Sequence, residues 1–390
     1  MEYLYKKTEK ANLEISLFAR NNVNEIHLFA KNTFPGSFDD QLNNILNALN
    51  AYLDENGIPY GAVTFARYFV SDYSNQAEAL KSINTRCAGH KTCAVSIVQQ
   101  PPLDENKIAA WFYIIDDRTG KALDARAVSD TDIRIKRGNY EHFWSTQLMP
   151  GNGSVESSHQ TTNIFSDYSR TLEKCGYSLK DNLIRTWLFV KDIDFNYYGL
   201  VEARKEFFHR HGMTKDTHFV ASTGIGGSHA DPKISVLMDA YAVGGISQKQ
   251  IRFLEARENL NPTHEYSVTF ERGTSLDYGD RRHIFISGTA SIDREGKILY
   301  RNDVRKQAGR TIENIAALLA SADATLRDVA QMIVYLRDIA DARSVIDYFN
   351  ERYRDIPKAV LLAPVCRPGW LIEIECIAIK AVENPNFGKF

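Results

Sequence analysis

Apolar and polar positions alternate loosely at the start of the chain. Leu13, Ile15 and Leu17, then Ile26 and Leu28, predict a hairpin over residues 13–31. From residue 38 to 56 the period lengthens: Leu42, Ile45, Leu46, Leu49 and Leu53 form one helical stripe, and Asn56-Gly57 supplies its stop. A strand over 63–72, a short helix over 75–83 and strands over 94–98 and 108–115 follow, the last two joined by a turn around Pro101-Pro102 and Asp104-Glu105-Asn106. The order is helix, strand, helix, strand, strand.

That order recurs. After a polar segment (116–141) and a Gly/Ser-rich connector (149–154), a helix over 160–174 ends at Gly176, and a strand over 183–190 closes with Lys191-Asp192-Ile193. A helix over 198–209 and strands over 218–222 and 234–243 complete the second copy, with a glycine-rich turn from Thr223 to His229 between the strands. A third copy follows Phe285 to Ile292: helix 304–321, strand 329–336 closing with Arg337-Asp338-Ile339, helix 340–354, and two strands around Cys366 and Glu373. Letters match as well as order, since Gln160 parallels Gln307 and Ser178-Leu179-Lys180-Asp181 parallels Thr325-Leu326-Arg327-Asp328. The expectation is an α+β protein of three α/β units, their sheets turned inward against one another. The boundaries read as 1–145, 155–245, a connecting segment 246–283, and 284–382.

The composition, 44% apolar and 25% charged over 390 residues, is ordinary for a globular chain with a sizeable core. A net charge of −2 gives no reason to expect a nucleic-acid or membrane surface, yet leaves room for a local basic pocket and an anionic small molecule. The N-terminal residues lack the apolar core of a signal peptide, so a cytoplasmic protein is expected. Five cysteines without regular spacing suit reduced thiols. Cys87, His90 and Cys93 form Cys-x2-His-x2-Cys, but no second ligand pair follows, and no metal is expected.

The chemistry concentrates at 365–378. Beyond the Pro368-Gly369 turn, Leu371, Glu373 and Glu375 alternate with Ile372, Ile374 and Cys376, so two carboxylates share one face of a strand. Such a face must meet water, a cation or a substrate. Cys366 precedes the turn, and hairpin pairing would bring its thiol and the Glu373 carboxyl to one pocket. From the residues alone, Glu373 is open between a solvated position, half of an ion pair and an acid. Cys366 is open between a small buried apolar residue and a participant.

The third copy, through Phe285-Ile-Ser-Gly-Thr-Ala-Ser-Ile292 and Leu371-Ile-Glu-Ile-Glu-Cys-Ile-Ala378, resembles a Rid (YjgF-type, endoribonuclease L-PSP-like) domain. Those domains have a chorismate mutase-like fold and form homotrimers with clefts between subunits. Three copies in one chain therefore imply a covalent pseudo-trimer, active as a monomer. A narrower resemblance covers most of the chain. Val98-Gln-Gln-Pro-Pro-Leu103, Ala221-Ser-Thr-Gly-Ile-Gly-Gly227, Ser287-Gly-Thr-Ala-Ser291 and the stretch from Cys366 to Glu373 are similar to the chorismatase and 3-hydroxybenzoate synthase family. The resemblance implies conversion of chorismate to 3-hydroxybenzoate or a cyclohexadiene diol, with release of pyruvate and without metal or organic cofactor. The family's catalytic glutamate falls on Glu373. The position of Cys366 is cysteine in members that form 3-hydroxybenzoate and alanine in those that hydrolyse.

Protonating an enol ether carbon suits a carboxylic acid whose pKa apolar neighbours have raised, here Trp370, Leu371 and Ile374. A substrate with two carboxylates calls for guanidinium groups, and Arg272, Arg185 and Arg367 are the candidates. The turn holding Gly224, Gly226 and Gly227 is open between a tight turn and a set of N–H donors to an anion. His229 is open between a loop residue and a proton carrier, whereas Asp72, Asp192 and Asp338 recur at strand ends as capping residues. Residues 248–267, with Arg252, Arg257 and Tyr266, depart from the family's tyrosine- and arginine-rich pattern, which leaves the exact substrate open. Two other readings remain. One is a Rid-type imine or enamine deaminase, in which Lys358 falls where that family holds the substrate carboxylate with arginine; the other is a non-catalytic metabolite-binding protein. The ribonuclease label of some Rid proteins finds no basic, aromatic-interleaved patch here.

Overall fold

In the computed structural model, which describes residues 1–86, 93–151, 153–263 and 268–390, each third of the chain builds the same sheet. The first contains β1 (Glu2–Lys7), β2 (Ala11–Arg20), β3 (Val23–Asn32), α1 (Phe38–Glu55), β4 (Val63–Val70), α2 (Tyr73–Arg86), β5 (Ala94–Gln99) and β6 (Ile108–Asp117). The second contains β7 (Asp124–Ala127), β8 (Asp132–Arg137), β9 (Tyr140–Leu148), α3 (Ser157–Lys174), α4 (Leu179–Asn182), β10 (Leu183–Val190), α5 (Ile193–Arg210), β11 (Ala221–Gly226) and β12 (Val236–Gly244). The third contains β13 (Ile251–Phe253), β14 (Gly273–Asp277), β15 (Arg281–Ala290), α6 (Val304–Ser321), β16 (Val329–Leu336), α7 (Ala342–Arg352), β17 (Lys358–Leu362) and β18 (Ile372–Ala381). The six-strand orders are β1-β2-β3-β6-β4-β5, β7-β8-β9-β12-β10-β11 and β13-β14-β15-β18-β16-β17. Each is an antiparallel meander extended by one parallel pair, whose crossover helix is α2, α5 or α7.

Two boundaries differ from those read off the sequence. Residues 124–148 are not the tail of the first unit but the opening meander of the second, because β9 pairs with β12. In β8, Ile133 and Ile135 turn inward while the residues between them are charged or half-exposed, so a polar-looking stretch is a half-buried strand. Likewise 246–283 is no mere connector: β13, β14 and the start of β15 lie in it and pair into the third sheet. Cys87 and His90 of the Cys-x2-His-x2-Cys run, and Tyr266, lie outside the described residues.

The sheets face inward, and Phe29, Trp111, Trp144, Trp187, Phe285 and Ile377 from all three join one apolar core. Helices cover the outer faces: α1 packs Leu42, Ile45 and Leu49 against Leu13 and Leu28, while α3 and α5 pack against the second sheet. Each boundary between sheets is pinned by a buried pair. Arg67 of β4 lies 2.8 Å from Asp239 of β12, Arg185 of β10 lies 2.7 Å from Glu375 of β18, and Arg281 of β15 lies 2.7 Å from Glu25 of β3. Such pairs add little net stability against apolar substitutes, but a wrong docking of the sheets would leave each charge buried alone. No helix among the described residues is long and apolar enough to cross a membrane.

Candidate functional site

Where the second sheet meets the third, a cleft of about 560 Å³, counted out to open solvent, lies beneath α5. Its acid comes from the alternation of β18, a central strand between β15 and β16. Glu373 stands opposite Ala290 on one side and Tyr335 on the other. Glu375, two residues further and on the same face, is tied down: Trp187 Nε1 donates to one oxygen and Arg185 to the other, both at 2.7 Å. Glu373 is only 5% exposed, and its carboxyl accepts no hydrogen bond among the described residues. Burial pushes its pKa up, the charge of Glu375 pushes further, and Arg185 and Arg272 only partly offset them, leaving it at about 8. At neutral pH the side chain is therefore a carboxylic acid.

The bulge in β15, between Ile286 and Thr289, makes room for it. A Cβ on Gly288 would sit 2.0 Å from Glu373 Oε1, so any side chain there would displace the carboxyl from this position. The freed Gly288 N–H donates to Thr223 Oγ1 at 2.9 Å, and Ser287 Oγ accepts the Ser222 N–H at 2.9 Å, so the same bulge docks the third sheet onto β11.

Cys366 lies on the turn before β18, beside Tyr197 of α5 in the lining of the cleft. Burial, then the neighbouring Glu373, pushes the thiol up to about 12, and burial holds Tyr197 well above its usual value. Both remain neutral, so Cys366 is neither a thiolate nucleophile nor a base near pH 7. Trp370 forms the adjoining wall, and its buried indole N–H has no partner among the described residues.

Three guanidinium groups line the cleft. Arg272 donates to the Asn261 carbonyl at 3.0 and 3.2 Å and lies 5.7 Å from the Phe270 ring centroid. Arg367 lies 5.0 Å over Trp370. Arg204, absent from the sequence reading, is buried with two neutral partners, Thr269 Oγ1 at 3.1 Å and Ser222 Oγ at 3.2 Å, and forms no ion pair among the described residues. Its signal was present in α5, where Leu200, Val201, Arg204, Phe207 and Phe208 share one buried face. An arginine in such a stripe must meet a polar group or a ligand.

Of the sequence candidates, Glu373, Cys366, Arg272, Arg367 and Gly224 line the cleft, and Arg185, Gly226 and Gly227 do not. Arg185 is committed to Glu375 and Thr223 behind it. The glycine-rich stretch is no anion-binding turn: Ala221–Gly226 is strand β11, parallel to β10. Gly226 N–H donates to the Pro364 carbonyl and Gly227 N–H to the Val190 carbonyl. A Cβ on Gly226 would meet Pro364 at 2.7 Å, so these glycines permit close approach of two units. His229 packs edge-on against Tyr73, away from the cleft.

The bulges of β4, β10 and β16 set a common register for the three units. Six residues past Val63, Leu183 and Val329, the partner on the neighbouring strand is Ala109, Leu237 and Glu373 respectively. Among these three positions the third unit alone carries an acid.

The endoribonuclease L-PSP family model matches residues 260–380. A RutC family protein of Pyrococcus abyssi is 36% identical over 99 residues, 25% of this chain and 78% of that protein. The 3-aminoacrylate deaminase RutC of Acinetobacter baylyi is 27% identical over 97 residues, 24% of this chain and 77% of that protein. These relatives correspond in length to one unit. A crystal structure of chorismatase superposes on 93% of this chain and 99% of its own, with a TM-score of 0.64 and 18% sequence identity. The architecture of three units in one chain is thus shared with chorismatase.

Proposed function

The chain belongs to the RutC family, and from that premise we propose that its Glu373 cleft is the active site of a chorismatase-type enzyme, needing no cofactor and producing 3-hydroxybenzoate and pyruvate from chorismate. The observation that carries the reading is a carboxylic acid kept neutral at pH 7, facing guanidinium groups, on the fold of chorismatase. Arg204, Arg272 and Arg367 bind the two substrate carboxylates, and the unpartnered Trp370 N–H donates to a ligand oxygen. Glu373 gives its proton to the methylene carbon of the enolpyruvyl ether. The π electrons form the new C–H bond, and the ether carbon becomes an oxocarbenium ion. Breaking its bond to the ring oxygen, after addition of a nucleophile, yields pyruvate.

Whether the ring aromatises depends on what adds. Water gives pyruvate and the dihydroxycyclohexadiene carboxylate. When the ring hydroxyl adds in place of water, it returns a proton to the Glu373 carboxylate and closes a cyclic ketal. The ring carbon–oxygen bond of that hydroxyl then breaks, so that its oxygen leaves in pyruvate, and the proton lost from the adjacent ring carbon passes to the retained oxygen, aromatising the ring to 3-hydroxybenzoate. The neutral Cys366 thiol, beside Tyr197, fills the space from which water would approach. Both walls of the cleft belong to one chain, so a monomer suffices.

The test is incubation of the purified protein with chorismate, following pyruvate and identifying the ring product by mass spectrometry, with Glu373→Gln alongside. Pyruvate with 3-hydroxybenzoate from wild type and none from the variant supports the reading. A folded protein that releases no pyruvate overturns it. The second reading, an imine or enamine deaminase, rests on the relative named 3-aminoacrylate deaminase and is tested by ammonia release from an enamine substrate.

A further inference from the structure

We infer that a second cleft, between the third sheet and the first, is a separate small-molecule site in which the amine of Lys358 captures an aldehyde or ketone as an imine. This cavity, of about 720 Å³ counted out to solvent, shares no lining residue with the Glu373 cleft. Lys358, Phe349 and Val360 face it from the third unit, and Asn12, Glu14 and Lys31 from the first.

The geometry leaves one amine underused. Lys358 opens β17, and its backbone N–H is fixed at 2.9 Å by Glu14 Oε2. The other Glu14 oxygen is taken by Lys31 Nζ at 2.5 Å. Lys358 is 4% exposed, and its Nζ reaches no carboxylate within ion-pair distance among the described residues. Its hydrogen bond is a long one, 3.4 Å to the Arg354 carbonyl. Across the cavity, Asn12 Oδ1 is buried without a partner. A buried amine and a buried amide oxygen, both short of partners, face a space lined on one side by Phe349 and Val360. A ligand with a carbonyl group, a short apolar body and one hydrogen-bond donor satisfies all three surfaces.

The electrostatics agree with this geometry. Burial lowers the Lys358 pKa, Glu14 and Asp355 oppose it, Lys31 adds to it, and the amine titrates at about 8; Asp104 also borders the cavity. Relative to an ordinary lysine, about 300-fold more free amine is present at neutral pH. The Nζ lone pair attacks the carbonyl carbon, and the new C–N bond pushes the carbonyl electrons onto oxygen. Proton transfer from nitrogen to oxygen gives the carbinolamine, which loses water to leave the imine. No oxidant or reductant takes part.

The experiment uses the full chain, dilute propanal and cyanoborohydride, which reduces any imine to a stable secondary amine, followed by peptide mass mapping. The exposed Lys121 serves as internal reference. We expect Lys358 to be alkylated at least about ten-fold faster than Lys121 at pH 7, with a rate that rises through a midpoint near 8. Lys358→Arg, which keeps the charge but cannot form the imine, removes that label and leaves pyruvate release from chorismate as in wild type. Alkylation of Lys358 no faster than Lys121 overturns the inference, and because that comparison is made within the wild-type protein, it decides even if the variant fails to fold. The labelling result is independent of whether chorismate is turned over.

Discussion

Glu373→Gln should change the pH dependence of stability as well as remove activity. The folded carboxyl titrates near 8 and the unfolded one at its ordinary 4.5, so between these values the folded state holds a proton that the unfolded state has released. Stability contributed by the neutral acid is therefore fully present below pH 4.5, declines as pH rises towards 8, and is flat above. The span corresponds to about 5 kcal/mol at 1.36 kcal/mol per pKa unit. Because the carboxyl borders a cleft that water can enter, about 2–5 kcal/mol is the expected range. Glutamine has nearly the same shape, cannot ionise and sits in the same pocket under Gly288. The variant should therefore lack this decline and exceed wild type at alkaline pH. Thermal unfolding midpoints of both proteins, measured from pH 4.5 to 9, isolate the group by difference. At roughly 1–2 °C per kcal/mol for a chain of this length, the gap should widen by roughly 2–10 °C across the window. Curves that run parallel throughout would falsify the neutral acid, and with it the proton donation on which the proposed reaction depends.

Gly288→Ala forces a methyl to within 2.0 Å of Glu373 Oε1; turnover should fall at least about 100-fold with thermal stability lower by about 1–3 kcal/mol, and kinetics plus calorimetry check it. Cys366→Ala opens the wall beside Glu373 to water, so the ratio of diol to 3-hydroxybenzoate should rise; an unchanged ratio by mass spectrometry would show that the thiol only packs. Arg185→Met leaves Glu375 buried without its cation and should cost about 3–5 kcal/mol in denaturant unfolding, with Arg185→Met/Glu375→Leu recovering most of it. Arg204→Met should raise the KM for chorismate by about 10- to 100-fold with a smaller change in kcat, because its partners in the free protein are neutral hydroxyls.

Helix Val304–Ser321 and strand Val329–Leu336 were legible in the sequence to the residue, because a long apolar stripe and a mostly apolar run closed by Arg337-Asp338 have few competing readings. The opening meander of the second unit was not. Asp124–Ala127 and Asp132–Arg137 are short and rich in charge, and although they pair locally with each other and with β9, only the pairing of β9 with the distant β12 assigns them to the second unit. Glu373 and Cys366 reached one cleft, but not by the hairpin pairing expected, because β16 lies between β17 and β18; and no local pattern shows which second-unit residues face them. Tyr197 and Arg204 enter only because β15 bulges at Gly288 and docks on β11. Arg185 misled for a related reason. An arginine in Leu-Ile-Arg-Thr-Trp-Leu-Phe-Val, buried throughout, promises a partner, and only the packing of two sheets shows that partner to be Glu375.

One chain in place of three identical subunits lets equivalent clefts diverge, and the register shows why an acid at this position is not sufficient. Ala109 of the first unit, equivalent to Glu373, pairs across the ladder with Lys31, whereas Glu373 pairs with Ala290. A glutamate at 109 would stand beside an ammonium, which favours the carboxylate and depresses the pKa. A carboxylate cannot protonate an enol ether, so Ala109→Glu should add an ion and no second activity. In the third unit the cross-strand neighbour is an uncharged methyl, Gly288 supplies space for the carboxyl, and Glu375 supplies repulsion behind. The proposed reaction needs that whole environment, and among the three equivalent positions it is assembled around Glu373 alone.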